Sequence, residues 1–251
     1  MASQVDCLMP TLLSVNVNRI ALLRNSRDHG WTPDLLALSR HILEAGAHGI
    51  TIHPRPDERH VRTSDVAPLA KLVAEFPNAE FNIEGNPEHN LMTLIAANRP
   101  QQATFVPDST AQRTSDHGYS VEHLKRIQPL IVDAKKSAQR VSVFVDADFA
   151  SIQAAKDAGA DRIELYTEPY AESLHNGSFD ATLKKFTDAA KFARSLGLGV
   201  NAGHDLNLEN LPPFVRDIAP DEVSIGHALI ADALHCGIAQ TTRKYLAAVH
   251  G

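Results

Sequence analysis

Histidines, carboxylates and arginines stand in this sequence where short β-branched runs stop, which is where a parallel α/β protein keeps its chemistry. His53 and Arg55 follow Gly49-Ile50-Thr51-Ile52, with Arg59 and His60 close behind, and Pro54 and Pro56 forbid the strand from continuing. Asn16 and Asn18 close the run from Leu12, Glu84 lies near the end of the run from Glu80, and Asp146, Glu164, His204 and His227 mark the ends of four later runs. His53 and His204 each end a strand of small and β-branched residues beside proline or glycine, outside any apolar face, and so suit proton transfer. Glu84 and Glu164 follow apolar residues; a carboxylate there is partly desolvated and holds its proton more tightly, which suits acid/base work. The alternative for the two glutamates is a salt bridge to an arginine across the fold. Asp146 and Asp148 read as structural, Asp148 as a helix cap.

Gly226-His227-Ala228 passes from a strand into a helix, so its backbone N–H groups can hold a phosphate, and Gly203 with His204 can act similarly. Arg24, Arg27, Arg55 and Arg59 are candidates for charge-assisted phosphate contacts, with Arg24 expected to be a plain surface residue. None of these strand ends carries a lysine. A lysine Schiff base is therefore not expected, and imine chemistry would need its amine from a substrate. His53, His204 and His227 with a carboxylate could bind zinc or manganese, but no His-x-His follows the first strand, so metal-free acid/base catalysis is favoured.

Positioning so many groups on one face needs a repeated scaffold. Strands are expected around 12–18, 50–52, 80–85, 104–108, 141–146, 162–167, 199–204 and 222–227, each followed by residues of helical period. Thr32-Pro33 reads as an N-cap with proline at the first helical position, Ser64-Asp65 and Pro87 as helix starts, and Ala228 to Val249 as one last helix. Glu44-Ala45-Gly46-Ala47 and Asp157-Ala158-Gly159-Ala160 are near copies, each a helix end, a glycine cap and a strand entry. Eight such units predict an α/β protein with one (β/α)8 (TIM) barrel domain over residues 1–251, with extra short helices. A doubly wound sheet is the runner-up, but no Gly-x-Gly-x-x-Gly follows the first strand. Ser109 to Ser120 and Glu168 to Asp180 are long and polar enough to serve as lids.

With 251 residues, 43% hydrophobic, the chain can bury a sizeable core. A formal charge of -6 argues against a nucleic-acid or anionic-membrane surface. Two distant cysteines, Cys7 and Cys236, fit a reducing compartment and packing roles. The absence of a leader pattern and of any spanning apolar run points to a cytoplasmic protein.

The ordered phrases Asn16-Val17-Asn18-Arg19-Ile20-Ala21, Leu23-Arg24-Asn25-Ser26-Arg27, His53-Pro54-Arg55, Asn82-Ile83-Glu84, Val106-Pro107, Val145-Asp146-Ala147-Asp148, Ile163-Glu164, Asn201-Ala202-Gly203-His204 and Ile225-Gly226-His227-Ala228 resemble the pyridoxine 5'-phosphate synthase family over nearly the whole chain. The resemblance implies a cytoplasmic, cofactor-free and metal-free barrel transferase, assembled as a homo-octamer. It would condense 1-deoxy-D-xylulose 5-phosphate with 3-amino-2-oxopropyl phosphate, releasing pyridoxine 5'-phosphate, inorganic phosphate and water. It also implies roles: His53 as general base, Glu84 as proton shuttle, His204 as the acid that helps phosphate or water to leave, and Glu164 as stabiliser of developing charge. Asn16 and Arg27 match positions that hold the amino-ketone phosphate; Arg55, His60, Thr114, Gly226 and His227 match positions that hold the sugar phosphate or the product. Asn18, Arg19 and Asp205 also fall at substrate-binding positions, and there the chain departs from the family. Many members read Asp-His at Asn18-Arg19, and a glycine is common at Asp205.

Overall fold

The computed structural model describes residues 10–27, 31–109, 111–112 and 115–250. Its elements are β1 (Leu12–Asn16), α1 (Asn18–Asn25), α2 (Leu35–Glu44), β2 (Gly49–Ile52), α3 (Thr63–Val73), β3 (Glu80–Gly85), α4 (Leu91–Asn98), β4 (Gln102–Phe105) and α5 (Val121–Ala134). The second half continues with β5 (Arg140–Val145), α6 (Phe149–Asp157), β6 (Arg162–Tyr166), α7 (Glu168–Asn176), α8 (Phe179–Ser195), β7 (Gly199–Gly203), α9 (Leu211–Ile218), β8 (Glu222–Ile225), α10 (His227–Cys236) and α11 (Ile238–His250). The strands pair in parallel in chain order, and β8 returns to β1, closing the (β/α)8 barrel.

Strand alternation separates two environments. Val15, Ile50, Ile52, Ile83, Phe105, Val143, Ile163, Val200 and Val223 are buried and belong to the apolar core. The alternate residues form hydrogen bonds that run from strand to strand. Ser14 Oγ meets Thr51 Oγ1 at 2.7 Å, Asn82 Nδ2 donates to Thr51 Oγ1 at 3.3 Å, and Thr104 Oγ1 donates to Asn82 Oδ1 at 3.1 Å. Lower down, Gln102 Nε2 on β4 donates to Glu222 Oε1 on β8 at 3.0 Å, a contact between opposite strands that must cross the barrel interior. The apolar face packs outward on helices and the inner face is polar, with many buried polar groups paired to one another; Ser142 Oγ and Glu164 Oε2 have no hydrogen-bond partner among the described residues.

Gly46 (φ 105) and Gly159 (φ 89) take the left-handed conformation at the two duplicated joints, which only glycine adopts without strain. Asp148 caps α6, its Oδ1 accepting Ser151 N–H at 2.9 Å. Several expectations are corrected. Asp34 rather than Thr32 is the N-cap of α2, accepting Ala37 N–H at 3.0 Å, and the Thr32-Pro33 bond is cis. The α3 helix opens one residue before Ser64, and α4 opens four residues beyond Pro87. The last helix is two helices broken at Gly237. Glu168 to Asp180 is α7 and the start of α8 rather than an open loop, because Pro169 sits at the first turn where a missing N–H costs nothing. Arg24 is buried, not superficial: it makes a two-pronged ion pair with Asp65 at 2.7 and 2.8 Å, tying α1 to α3. Cys7 lies outside the described residues. Among the described residues no helix is long and apolar enough to cross a membrane.

Candidate active site

The C-terminal ends of the strands open on a cavity of about 370 Å³. It is lined by Asn16, Asn18, Arg19, His53, Arg55, His60, Glu84, His204, Asp205, Gly226 and His227 among others, and no lysine is in the lining. Glu164 sits just below: a Cβ built at Gly203 would overlap its carboxylate, so the glycine makes room for the glutamate. Arg27 is exposed and outside the lining, and Thr114 lies outside the described residues.

The first two strand ends are tied together. Asn16 Oδ1 accepts Asn18 N–H at 3.0 Å, Asn18 Oδ1 accepts His53 N–H at 3.0 Å, and Asn16 Nδ2 donates to Glu84 Oε2 at 3.3 Å. His53 stands between two carboxyls: Nε2 lies 3.1 Å from Asp108 Oδ2, and Nδ1 lies 3.9 Å from Glu84 Oε2. Arg55 pairs with the same Asp108 oxygen at 2.6 Å and donates to the Gln112 carbonyl at 2.6 Å, which Arg59 also reaches at 2.7 Å.

Burial acts first on each titrating group. It pushes the Glu84 carboxyl well above the carboxylate range, and the nearby Glu164 and Glu222 charges add to this. Glu164 rises to about 8 for the same two reasons, burial and Glu222. Burial thus favours the protonated form of both glutamates, and among the described residues neither forms the cross-barrel arginine pair that was the alternative. Asp108 goes the other way: burial alone would raise it, but the hydrogen bond and charge of His53 and the Arg55 charge hold it low. An ionised Asp108 accepts the Nε2 proton of His53 and leaves Nδ1 as the basic atom. His60 is pushed down to about 3 by burial and by His53 and Arg55, so it is neutral, and its buried Nδ1 has no hydrogen-bond partner among the described residues.

At the β7 end, His204 Nδ1 lies 3.2 Å from Asp205 Oδ2 and 3.8 Å from Glu168 Oε2. These are the three side chains among the described residues whose ligand atoms, all within 4.8 Å of one another, could hold a metal ion. His53 and His227, the other members of the histidine set considered from sequence, are not part of that group. Gly226 precedes α10 and lines the cavity with His227, so the first N–H groups of that helix face the mouth.

Sequence reasoning missed Asp108 and Glu168. The signal for Asp108 was available: Pro107 ends the fourth strand just as Pro54 ends the second, which leaves the next side chain at the mouth. Glu168 was hidden inside a stretch read as a loop.

Glu164 carries a pH prediction. Its carboxyl titrates at about 8 when folded against 4.5 as a reference, so between those values the folded chain binds the extra proton and loses stability as pH rises. The loss is at most about 1.4 kcal/mol per pH unit. Glu164→Gln is expected to unfold at higher urea than wild type at pH 7.5, with the advantage gone near pH 4.5. A variant weaker at both pH values in the same titration would mean a charged, paired Glu164.

A family model described as "Pyridoxal phosphate biosynthesis protein PdxJ" matches residues 13–251. A pyridoxine 5'-phosphate synthase of Albidiferax ferrireducens is 51% identical over 245 residues, covering 95% of this chain and 97% of the relative. One of Xanthomonas campestris pv. campestris, strain B100, is 51% identical over 253 residues, covering 97% and 98%. Among solved structures, a cube-shaped protein cage designed by fusing symmetric oligomeric domains superposes with a TM-score of 0.62 at 16% identity, over 96% of this chain and 72% of that one, a likeness of fold alone.

Proposed function

This chain belongs to the pyridoxal phosphate biosynthesis protein PdxJ family, and from that membership we propose that it is a pyridoxine 5'-phosphate synthase, a transferase that works without metal or cofactor. Its substrates are 1-deoxy-D-xylulose 5-phosphate and 3-amino-2-oxopropyl phosphate; its products are pyridoxine 5'-phosphate, inorganic phosphate and water. The observation that carries the mechanism is a histidine, His53, standing between the buried carboxyls of Asp108 and Glu84, with the buried Glu164 below, in a cavity whose described lining holds no lysine.

Ring construction from these substrates is a series of proton transfers and departures of oxygen leaving groups, with the ring nitrogen supplied by the amino-ketone. His53 Nδ1 removes a proton from substrate carbon. Glu84, 3.9 Å from that nitrogen, delivers a proton to a departing or newly formed oxygen and then returns to its acid form. His204 donates to the phosphate or water that leaves from the β7 side. Glu164, neutral beneath them, stabilises charge as it develops. Two phosphates need two anion sites. Arg55, neutral His60, Thr114 and the Gly226-His227 helix start serve the sugar phosphate or the product; Asn16 and Arg27 serve the amino-ketone phosphate. The enzyme works as a cytoplasmic homo-octamer.

Chelation tests the metal-free reading. After exhaustive treatment with a chelator, the purified protein given both substrates is expected to form pyridoxine 5'-phosphate at an undiminished rate. Activity that disappears and is restored by zinc or manganese would assign the Glu168-His204-Asp205 group a catalytic metal and overturn it.

A further inference from the structure

Two strands of this barrel run out into proline, which has no N–H to carry a ladder onward. Past β2 the chain reads His53-Pro54-Arg55, and past β4 it reads Val106-Pro107-Asp108. On the β4 side Val106 N–H still reaches the Gly85 carbonyl at 2.9 Å, and Pro107 then offers no donor. Yet His53, Arg55 and Asp108, which converge on one another, lie at and beyond these points on strands that are not neighbours, since β3 runs between them. The turn that leaves β3, Asn86-Pro87-Glu88-His89-Asn90, spans the gap. Asn90 Nδ2 donates to the Pro54 carbonyl at 3.1 Å, and Asn86 Nδ2 donates to the Asp108 carbonyl at 2.9 Å. An asparagine amide supplies N–H donors like those of the backbone, so each takes over where a proline ends the ladder. The turn is itself braced. Asn86 Oδ1 accepts Glu88 N–H at 2.9 Å, the Asn86 carbonyl accepts His89 N–H at 3.0 Å, and Glu88 Oε2 lies 2.8 Å from Arg126 and 3.0 Å from His123 on α5.

We propose that Asn86 and Asn90 are the positioning residues of the His53–Asp108 pair: gripping the Asp108 and Pro54 carbonyls from the end of β3, the two amides fix the separation at which Asp108 accepts the Nε2 proton of His53. The proposal rests on the reading of His53 as the base and Asp108 as the carboxylate that orients it. An imidazole acts through one nitrogen, and the hydrogen bond made by the other decides which. Asp108 Oδ2 also meets Arg55 at 2.6 Å, so a carboxylate released from Asn86 has a cation to turn to, and the ring of His53 then loses the contact that selects its tautomer. Glu84 stands just before this turn on the same strand, so one short segment carries the acid and spaces the base from its orienting partner.

Asn86→Ala and Asn86→Asp test the proposal together. Aspartate keeps the acceptor that Glu88 N–H uses and removes only the donor, so it carries the same readouts should alanine unfold the turn; alanine shows the loss without an added charge. Nitrogen-15 spectra of the neutral His53 ring are expected to show the proton on Nε2 in the wild type and a share of it on Nδ1 in both variants. Asn90→Ala is expected to give the same shift from the β2 side, and a wild-type spectrum there removes Asn90 from the grip. In turnover, kcat of Asn86→Ala is expected to fall about tenfold to a hundredfold, the size of a small misplacement of a reacting group, with KM for both substrates little changed. In an Asp108→Asn background the same substitution should cost about twofold or less, because residues that act through one another are not additive. A wild-type ring spectrum in both Asn86 variants overturns the proposal, and so does a loss that multiplies in full with that of Asp108→Asn. A shifted spectrum with unchanged kcat supports the positioning and overturns instead the role given to His53.

Discussion

Glu84→Gln lowers kcat by about a hundredfold to ten-thousandfold, the range for removal of a general acid/base group, while KM for both substrates stays within a few-fold. The reason is geometric. Glutamine has the shape of the protonated glutamate, and its amide oxygen can still accept from Asn16 Nδ2, so the cavity and its contacts survive. What it cannot do is give up a proton and take it back. Burial pushes the Glu84 carboxyl well above the usual range, favouring its protonated form, so the neutral variant is not expected to unfold more easily. Steady-state kinetics with urea unfolding alongside checks both halves. A kcat within about threefold of wild type would remove Glu84 from the proton path.

The second large effect is at His53. His53→Ala is expected to lower kcat about a thousandfold, again with little change in KM, since it removes the ring nitrogen that faces Glu84 at 3.9 Å. Asp108→Asn makes the sharper test of the same claim. Its amide can present an N–H to Nε2, which then must accept, and the ring proton moves to Nδ1, the atom that should be basic. A serine-protease triad shows a loss of about ten-thousandfold from the equivalent exchange; here a loss of at least about a hundredfold is expected, smaller because Nδ1 faces Glu84 through a gap of 3.9 Å rather than a direct bond. Asp108→Asn also leaves Arg55 with a neutral neighbour, so KM for the sugar phosphate should fall if that guanidinium turns to the phosphate. If Asp108→Asn left kcat intact, His53 would have to act through Nε2.

The barrel was legible from the rhythm of the chain. The Gly46 and Gly159 joints and the β-branched runs mark the units, and the structure closes them in order. The strand-end residues were legible for the same reason, because a polar side chain after an apolar run, next to proline or glycine, has no packing role. What could not be read was which polar side chains pair. Arg24 looked superficial because its helix is short and polar, yet Asp65, distant in sequence, draws it inward. Asp108 lay past a strand end with nothing in its own neighbourhood to say that His53 and Arg55 would converge on it. The inner polar layer of Thr51, Asn82, Gln102 and Glu222 was also missed as a network, since period-two alternation locates a face but does not reveal what lies across the lumen. Thr114, a position given a role by resemblance, lies outside the described residues, and Arg27 stands apart from the cavity, so the anion sites depend most on Arg55, His60 and the start of α10.

The central claim is that this cavity builds a ring from two phosphorylated substrates, with the substrate's own amine and no enzyme lysine. Its most direct test follows inorganic phosphate and pyridoxine 5'-phosphate together, using 3-amino-2-oxopropyl phosphate labelled with nitrogen-15 and metal-stripped enzyme. The account predicts one phosphate for each ring formed, with the label in every ring. Phosphate released without a ring would contradict it and point to a different sugar substrate at Asn18 and Arg19.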